Sequence, residues 1–416
     1  MVESKSHKSN KNNFNPEQSM SEVRREFGEH GGVTPSISRS STFTVMASNI
    51  MPDIFAGLRD TEKDGCFLYS RHFNPTVDVL ARYLAALEGS EAAICTASGM
   101  AAISCAILQL CRSGDHIVAS DTIYGGTHAL LADVLPDMGI TTTFVDATDA
   151  DNFVKAATDK TRLFYTETLG NPLLKLTDIP ALGKIAKSKN IRLMVDNTFT
   201  PMIFSPLAMG ADIVIHSLTK FINGASDNLG GAICASRAFI HQLMDLHTGR
   251  AMLLGPSMDP RTAYDIIQRL PHLGVRLREH GKRAMAAATL LAEMDVKVTY
   301  PGLKQYSQHD LFCQLQNPSF GFGGIFTVDC GDPIKADQLL DILQNKERFG
   351  LIAVSLGYYD TLMSCSGTTT SSEISVDEQS RMGLSPGLVR FSIGITGDLD
   401  ERLAQLERGV RSAGLV

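Results

Sequence analysis

From Glu91 onward, short apolar runs rich in β-branched residues alternate with helix-like stretches. The runs fall at 92–96, 116–120, 142–146, 162–166, 192–196, 213–216 and 231–235. That rhythm predicts an α/β fold, a mostly parallel seven-stranded sheet covered by helices on both faces. In such sheets ligands sit beyond the carboxyl ends of the strands, so residues there carry the chemical interest. Between residues 262 and 294 the pattern lengthens into an amphipathic helix, apolar on one face with Arg, Glu and Lys opposite. A domain boundary is placed near Leu273. Beyond it, 296–299, 324–328, 352–354 and 388–393 read as strands of a small α+β domain. Before Val77, residues such as Gly31, Gly32, Pro35, Asn74 and Pro75 favour an extended arm. The expected division is an arm at 1–76 with its first twenty residues disordered, a large domain at 77–273 and a small domain at 274–416.

Composition narrows the classes of function. A chain of 416 residues suits two or three domains. The net charge of −7 comes from dispersed acids, and no basic stripe is present to track a phosphate backbone, so nucleic acid is not an expected partner. The eight cysteines (Cys66, Cys95, Cys105, Cys111, Cys234, Cys313, Cys330, Cys365) are scattered, with no CxxC pair and no secretory leader ahead of them. They are expected to be reduced thiols of a cytoplasmic protein. No apolar run approaches the ~20 residues that span a bilayer, so no membrane partner is expected.

The chemistry gathers at strand ends. An apolar strand, IVIH, runs into SLTK, setting Lys220 just past its end with Ser217 and Thr219 close by. A lone strand-end lysine is usually exposed. A desolvated one can lose its proton and attack an aldehyde, while the two hydroxyls can donate to a phosphate. A second strand, RLMVD, ends in Asp196, a carboxylate suited to holding a pyridine nitrogen protonated. Ser98 and Gly99 lie between a strand and a helix, where N–H groups and the helix dipole favour a phosphate. Tyr124 follows the next strand in a Gly-rich turn, where its ring can stack on a flat cofactor and its phenol can move a proton. Tyr69 and Arg71 offer a phosphate clamp on the arm. Arg390 sits within an apolar strand, where an unpaired charge is costly, so a carboxylate partner is expected.

Taken in order, YSRHFNPT, SGM, DTIYGGT, ETLGNP, VDNTF, HSLTK, VSLG and LVRFSIG resemble the motifs of the Cys/Met-metabolism family of pyridoxal-phosphate enzymes, over about residue 31 to the C-terminus. That family includes methionine γ-lyase, cystathionine lyases, cystathionine γ-synthase and O-acylhomoserine sulfhydrylases. The resemblance implies a fold type I architecture and pyridoxal 5'-phosphate carried as a Schiff base on Lys220. It also implies a homotetramer, a dimer of dimers, whose arms reach into neighbouring active sites. On it, Tyr69 and Arg71 would bind the phosphate of the partner subunit's cofactor, together with the amides of Gly99 and Met100 and the hydroxyls of Ser217 and Thr219. Tyr124 would stack on the ring, Asp196 would hold its nitrogen, and Asn171, Ser355 and Arg390 would hold the substrate carboxylate. No metal is implied.

The chain departs from family habits where the substrate side chain is read. Leu68 stands where relatives that handle cystathionine often carry an acid, and Gly126 where methionine γ-lyases typically carry Cys. Tyr358 replaces the second glycine of SLGG, and Asp360 stands for the usual Glu. Cys365, Ser366 and Gly367, followed by TTTSSE, replace the usual HPA segment. The leading expectation is a carbon–sulfur lyase performing γ-elimination on methionine or a related sulfur amino acid. The alternative is γ-replacement on an O-acylated homoserine. A non-catalytic scaffold is disfavoured because a scaffold gains nothing from Lys220, Asp196, Tyr124, Arg71 and Arg390.

Overall fold

A computed structural model describes residues 14–23, 31–55, 67–366 and 376–416. Its large sheet has strands β1 (Ala92–Thr96), β2 (His116–Ser120), β3 (Thr141–Val145), β4 (Thr161–Glu167), β5 (Arg192–Asp196), β6 (Ile213–Ser217) and β7 (Gly231–Ala235). Their spatial order is β1-β7-β6-β5-β4-β2-β3, with β7 alone antiparallel to its neighbours β6 and β1. Both faces are covered, which is why these strands read as continuous apolar runs. Leu193 and Val195 enter one core while Met194 and Ile213 enter the other.

The smaller sheet consists of β8 (Val298–Thr299), β9 (Ile325–Asp329), β10 (Leu351–Ile352), β11 (Leu362–Cys365) and β12 (Leu388–Ser392), ordered β10-β11-β12-β9-β8. The helices Pro333–Asn345 and Leu399–Ser412 close its core through Leu339, Leu343, Leu406 and Val410. The strand β11 has no counterpart in the sequence reading.

Two expectations need correction. The helix at 262–294 is two helices, Pro260–Arg269 and Leu273–Glu293, separated by a 3₁₀ turn at Leu270–His272. Pro271 lacks the N–H that a continuous helix requires. The disordered stretch through residue 20 is interrupted as well, because Pro16–Ser21 is a helix. Asn15 caps it by accepting the Gln18 N–H, and Met20 is buried in the large core. Residues 1–13 lie outside the described residues, as do Cys66, Gly367 and the TTTSSE segment. The helix Pro75–Glu88 begins where Asn74 accepts the N–H groups of Thr76 and Val77. The seven cysteines among the described residues form no disulfide. No helix among the described residues is long and apolar enough to cross a membrane.

Candidate active site

A cavity of about 720 Å³ opens at the carboxyl ends of β4, β5 and β6, walled on its far side by the 353–358 segment and β12. Lys220 enters it from the turn after β6. Its Nζ donates to Ser355 Oγ at 2.9 Å, and burial, with Arg390 nearby, lowers its proton affinity to about 8. The turn is fixed from two sides. Arg276 of the Leu273–Glu293 helix donates to the carbonyls of Phe221 (2.5 Å) and Ile222 (2.9 Å). Gly357, at φ +76, lies so close that a Cβ there would stand 2.5 Å from Phe221 N and 2.9 Å from the Lys220 carbonyl carbon.

Asp196 closes β5, buried, its Oδ1 accepting the Thr198 N–H at 2.9 Å. Burial raises its proton affinity, opposed by the Thr198 hydrogen bonds and by His216. Beside it in register, Glu167 closes β4. Glu167 accepts the main-chain N–H of Tyr124 at 2.7 Å and of Asn171 at 3.1 Å, and burial together with Asp196 pushes its proton affinity well up.

Gly99 starts the helix Gly99–Leu110, whose Ser98 cap accepts the Ala101 N–H at 3.1 Å. A Cβ on Gly99 would stand 2.9 Å from the Cβ of Ser217, so only glycine lets this helix start meet the end of β6. Gly99, Met100, Ser217 and Thr219 all line the cavity. Tyr124 lines it too, 43% exposed, with Gly126 beneath its ring: a Cβ there would stand 2.7 Å from Tyr124 Cε1. A side chain at position 126 would therefore collide with the Tyr124 ring as it lies here.

On the opposite wall, Arg390 is buried and donates to Asn171 Oδ1 and the Ser355 carbonyl, each at 2.9 Å. The expected carboxylate partner is not there. An amide oxygen and a main-chain carbonyl take its place, burial lowers its proton affinity to about 10, and Nε has no partner among the described residues. Ser355 holds φ 142, an unusual backbone state for a residue with a side chain.

Tyr69 and Arg71 are not brought to this cavity within one chain. Arg71 donates to the Met252 carbonyl at 2.9 Å with its guanidinium 5.5 Å from the Tyr69 ring centre, and Tyr69 is 43% exposed. Leu68 is buried. Tyr358 lines the cavity with its ring 4.0 Å from that of Tyr359, whereas Asp360 turns away to Thr361, Thr396 and Arg402. Cys365 is buried in β11. Sequence reasoning passed over Glu167 and Thr198, whose Oγ1 accepts the Ser217 N–H at 2.8 Å. Glu167 carries the same signal as Asp196, an acid ending an apolar strand.

The model for the family described as Cys/Met metabolism PLP-dependent enzymes matches residues 19–411. A methionine γ-lyase of Arabidopsis thaliana is 48% identical over 395 residues, 94% of this chain and 89% of that protein. An O-acetyl-L-homoserine sulfhydrylase of Leptospira meyeri is 35% identical, over 83% of this chain and 86% of that one. Among solved structures, a Campylobacter jejuni chain holding N'-pyridoxyl-lysine-5'-monophosphate superposes with a TM-score of 0.88 at 28% identity, covering 96% of this chain and 100% of that one. The architecture and the lysine-centred cavity define a fold type I pyridoxal-phosphate enzyme. The chain belongs to the Cys/Met metabolism family of these enzymes.

The cavity fits that cofactor on its own terms. The Gly99 cradle, where a Cβ would collide, joins a helix start to two hydroxyls and suits a phosphate. Asp196 suits a ring nitrogen, and the buried Lys220 amine suits an aldehyde.

Proposed function

We propose that this protein is a carbon–sulfur lyase that converts L-methionine and water to 2-oxobutanoate, ammonia and methanethiol by γ-elimination. The observation that carries the reading is the line Lys220–Ser355–Arg390, which sets a weakly basic amine beside a buried guanidinium with unused donors. The likeness to a methionine γ-lyase supports it.

Pyridoxal phosphate, when bound, supplies an aldehyde for the substrate's amino group and a conjugated ring that takes up the electron pair left at Cα. The residues do the rest. Gly99 and Met100 amides with Ser217 and Thr219 would hold the phosphate, Asp196 would hold the ring nitrogen, and Tyr124 would stack on the ring. Arg390 and Asn171, with Ser355, hold the substrate carboxylate. Lys220, whose proton affinity of about 8 leaves part of it neutral near physiological pH, takes the proton from Cα. A proton must also leave Cβ before sulfur departs from Cγ. The Tyr124 phenol, which lines the cavity, hands a proton to that sulfur. Apolar Leu351, Leu356 and Leu362 line the same cavity and suit a thioether tail.

The same reading makes the active unit an oligomer, a homotetramer built of dimers, in which Tyr69 and Arg71 of one copy complete the phosphate site of another. Their distance from the cavity of their own chain favours it. The thiol content favours a reducing compartment, the cytoplasm. Mixing inactive Arg71→Ala and Lys220→Ala subunits should restore activity, and verified mixed dimers without recovery would remove the shared site.

Purified protein supplied with methionine, homocysteine and cystathionine should release 2-oxobutanoate and ammonia, most readily from methionine. Silence on all three overturns the lyase reading. Homocysteine formed from O-acetylhomoserine and sulfide would assign replacement instead, the chemistry named for the Leptospira relative.

A further inference from the structure

Two loops that reach the cavity from different strands are held by one carboxylate. Glu167 Oε1 accepts the N–H of Tyr124, which follows β2, and Oε2 accepts the N–H of Asn171, which follows β4. Glu167 is 6% exposed. Asn171 then accepts from Arg390, Arg390 donates to the Ser355 carbonyl, and Ser355 receives Lys220. Hydrogen bonds and the backbone between them therefore run from the Tyr124 main chain at one side of the cavity to the Lys220 amine at the other.

This arrangement is costly to build. Glu167 and Asp196 are register partners on adjacent strands, so two buried carboxylates stand side by side. A carboxyl group is nevertheless the side chain that meets the geometry, since both of its oxygens accept, and the two N–H donors oppose the protonation that burial and Asp196 favour. A glutamine would turn an NH₂ group toward one of the two N–H donors and leave it unsatisfied.

We propose that Glu167 is a positioning residue that sets Tyr124 and Asn171 relative to each other, so that cofactor stacking and substrate-carboxylate binding depend on one group. The proposal rests on the roles given above to Tyr124 and Asn171.

The test reads two constants: the affinity of cofactor-free protein for pyridoxal phosphate, by absorbance titration, and the KM for methionine at saturating cofactor. Glu167→Gln should weaken both together, each by about tenfold. Tyr124→Ala should move mainly the first and Asn171→Ala mainly the second. If those two variants leave both constants unchanged, the roles assigned to Tyr124 and Asn171 fall. If they respond and Glu167→Gln leaves both constants in place, or moves only one, the positioning role is overturned, whatever happens to the melting temperature. Should Glu167→Gln not fold, Glu167→Asp keeps the charge but falls one methylene short. Movement of both constants in that variant supports the proposal, and movement of one or neither overturns it.

Discussion

Two buried arginines do opposite work. Arg276, beneath the Lys220 turn, and Arg390, in the cavity wall, are 8% and 3% exposed, and burial lowers the proton affinity of each to about 10. Arg276 spends its fork on the protein: Nε donates to His272, Nη1 to Phe221, and Nη2 to Ile222 and Arg269. Arg390 makes only its bonds to Asn171 and Ser355 and leaves Nε without a partner among the described residues. Burial and weakened basicity therefore do not mark an arginine that handles ligand. Unused donors beside a cavity are what set apart Arg390, the arginine proposed to hold the substrate carboxylate.

Substitutions can break that contrast. Arg276→Ala should lose about 3–4 kcal/mol of stability in denaturant unfolding, because it leaves several buried carbonyls without donors. Arg390→Ala should leave stability within about 1 kcal/mol of the parent, since it removes a desolvated and under-partnered charge, while kcat/KM for methionine falls about a hundredfold. Reversed outcomes, with Arg390→Ala unfolding and Arg276→Ala merely slow, would erase the distinction.

The smallest effect concerns Lys220. Its folded-state proton affinity, about 8 against an ordinary 10.5, means that the unfolded cofactor-free chain binds more protons between those values. The burial penalty is therefore full below about 8 and vanishes as pH rises through 10.5. Cofactor-free Lys220→Met should be more stable than the parent at neutral pH, by about 2 kcal/mol after allowing for partial hydration, and the gap should close as pH rises across that window. A gap that is flat with pH would mean that Lys220 is not desolvated.

Much of the frame was legible because each layer of the large sheet repeats one signal. Strands such as Arg192–Asp196 and Ile213–Ser217 carry short apolar runs between helices, and their ends pointed to Asp196 and Lys220. The strand Leu362–Cys365 gave no such signal. It is four residues long, includes a serine, and is held by pairing with Leu388–Ser392 rather than by a pattern of its own. No protein carboxylate stands beside Arg390 among the described residues, because an amide oxygen and a main-chain carbonyl take two of its donors, and neither is announced by an acid in the sequence. Glu167 was visible as a strand-end acid, but its role depends on two main-chain N–H groups brought together only by the fold.

The glycine packed against the lysine turn has a consequence for anyone retuning this enzyme. Position 357 is closed to every other residue, because a side chain there would push the main chain that carries Lys220. Its neighbours are not so confined: Val354 is 66% exposed and Leu351 45%, and Tyr358 shares their cavity rim. Libraries aimed at new leaving groups can be concentrated on that rim with 357 held constant, which separates the choice of substrate from the upkeep of the turn that carries Lys220.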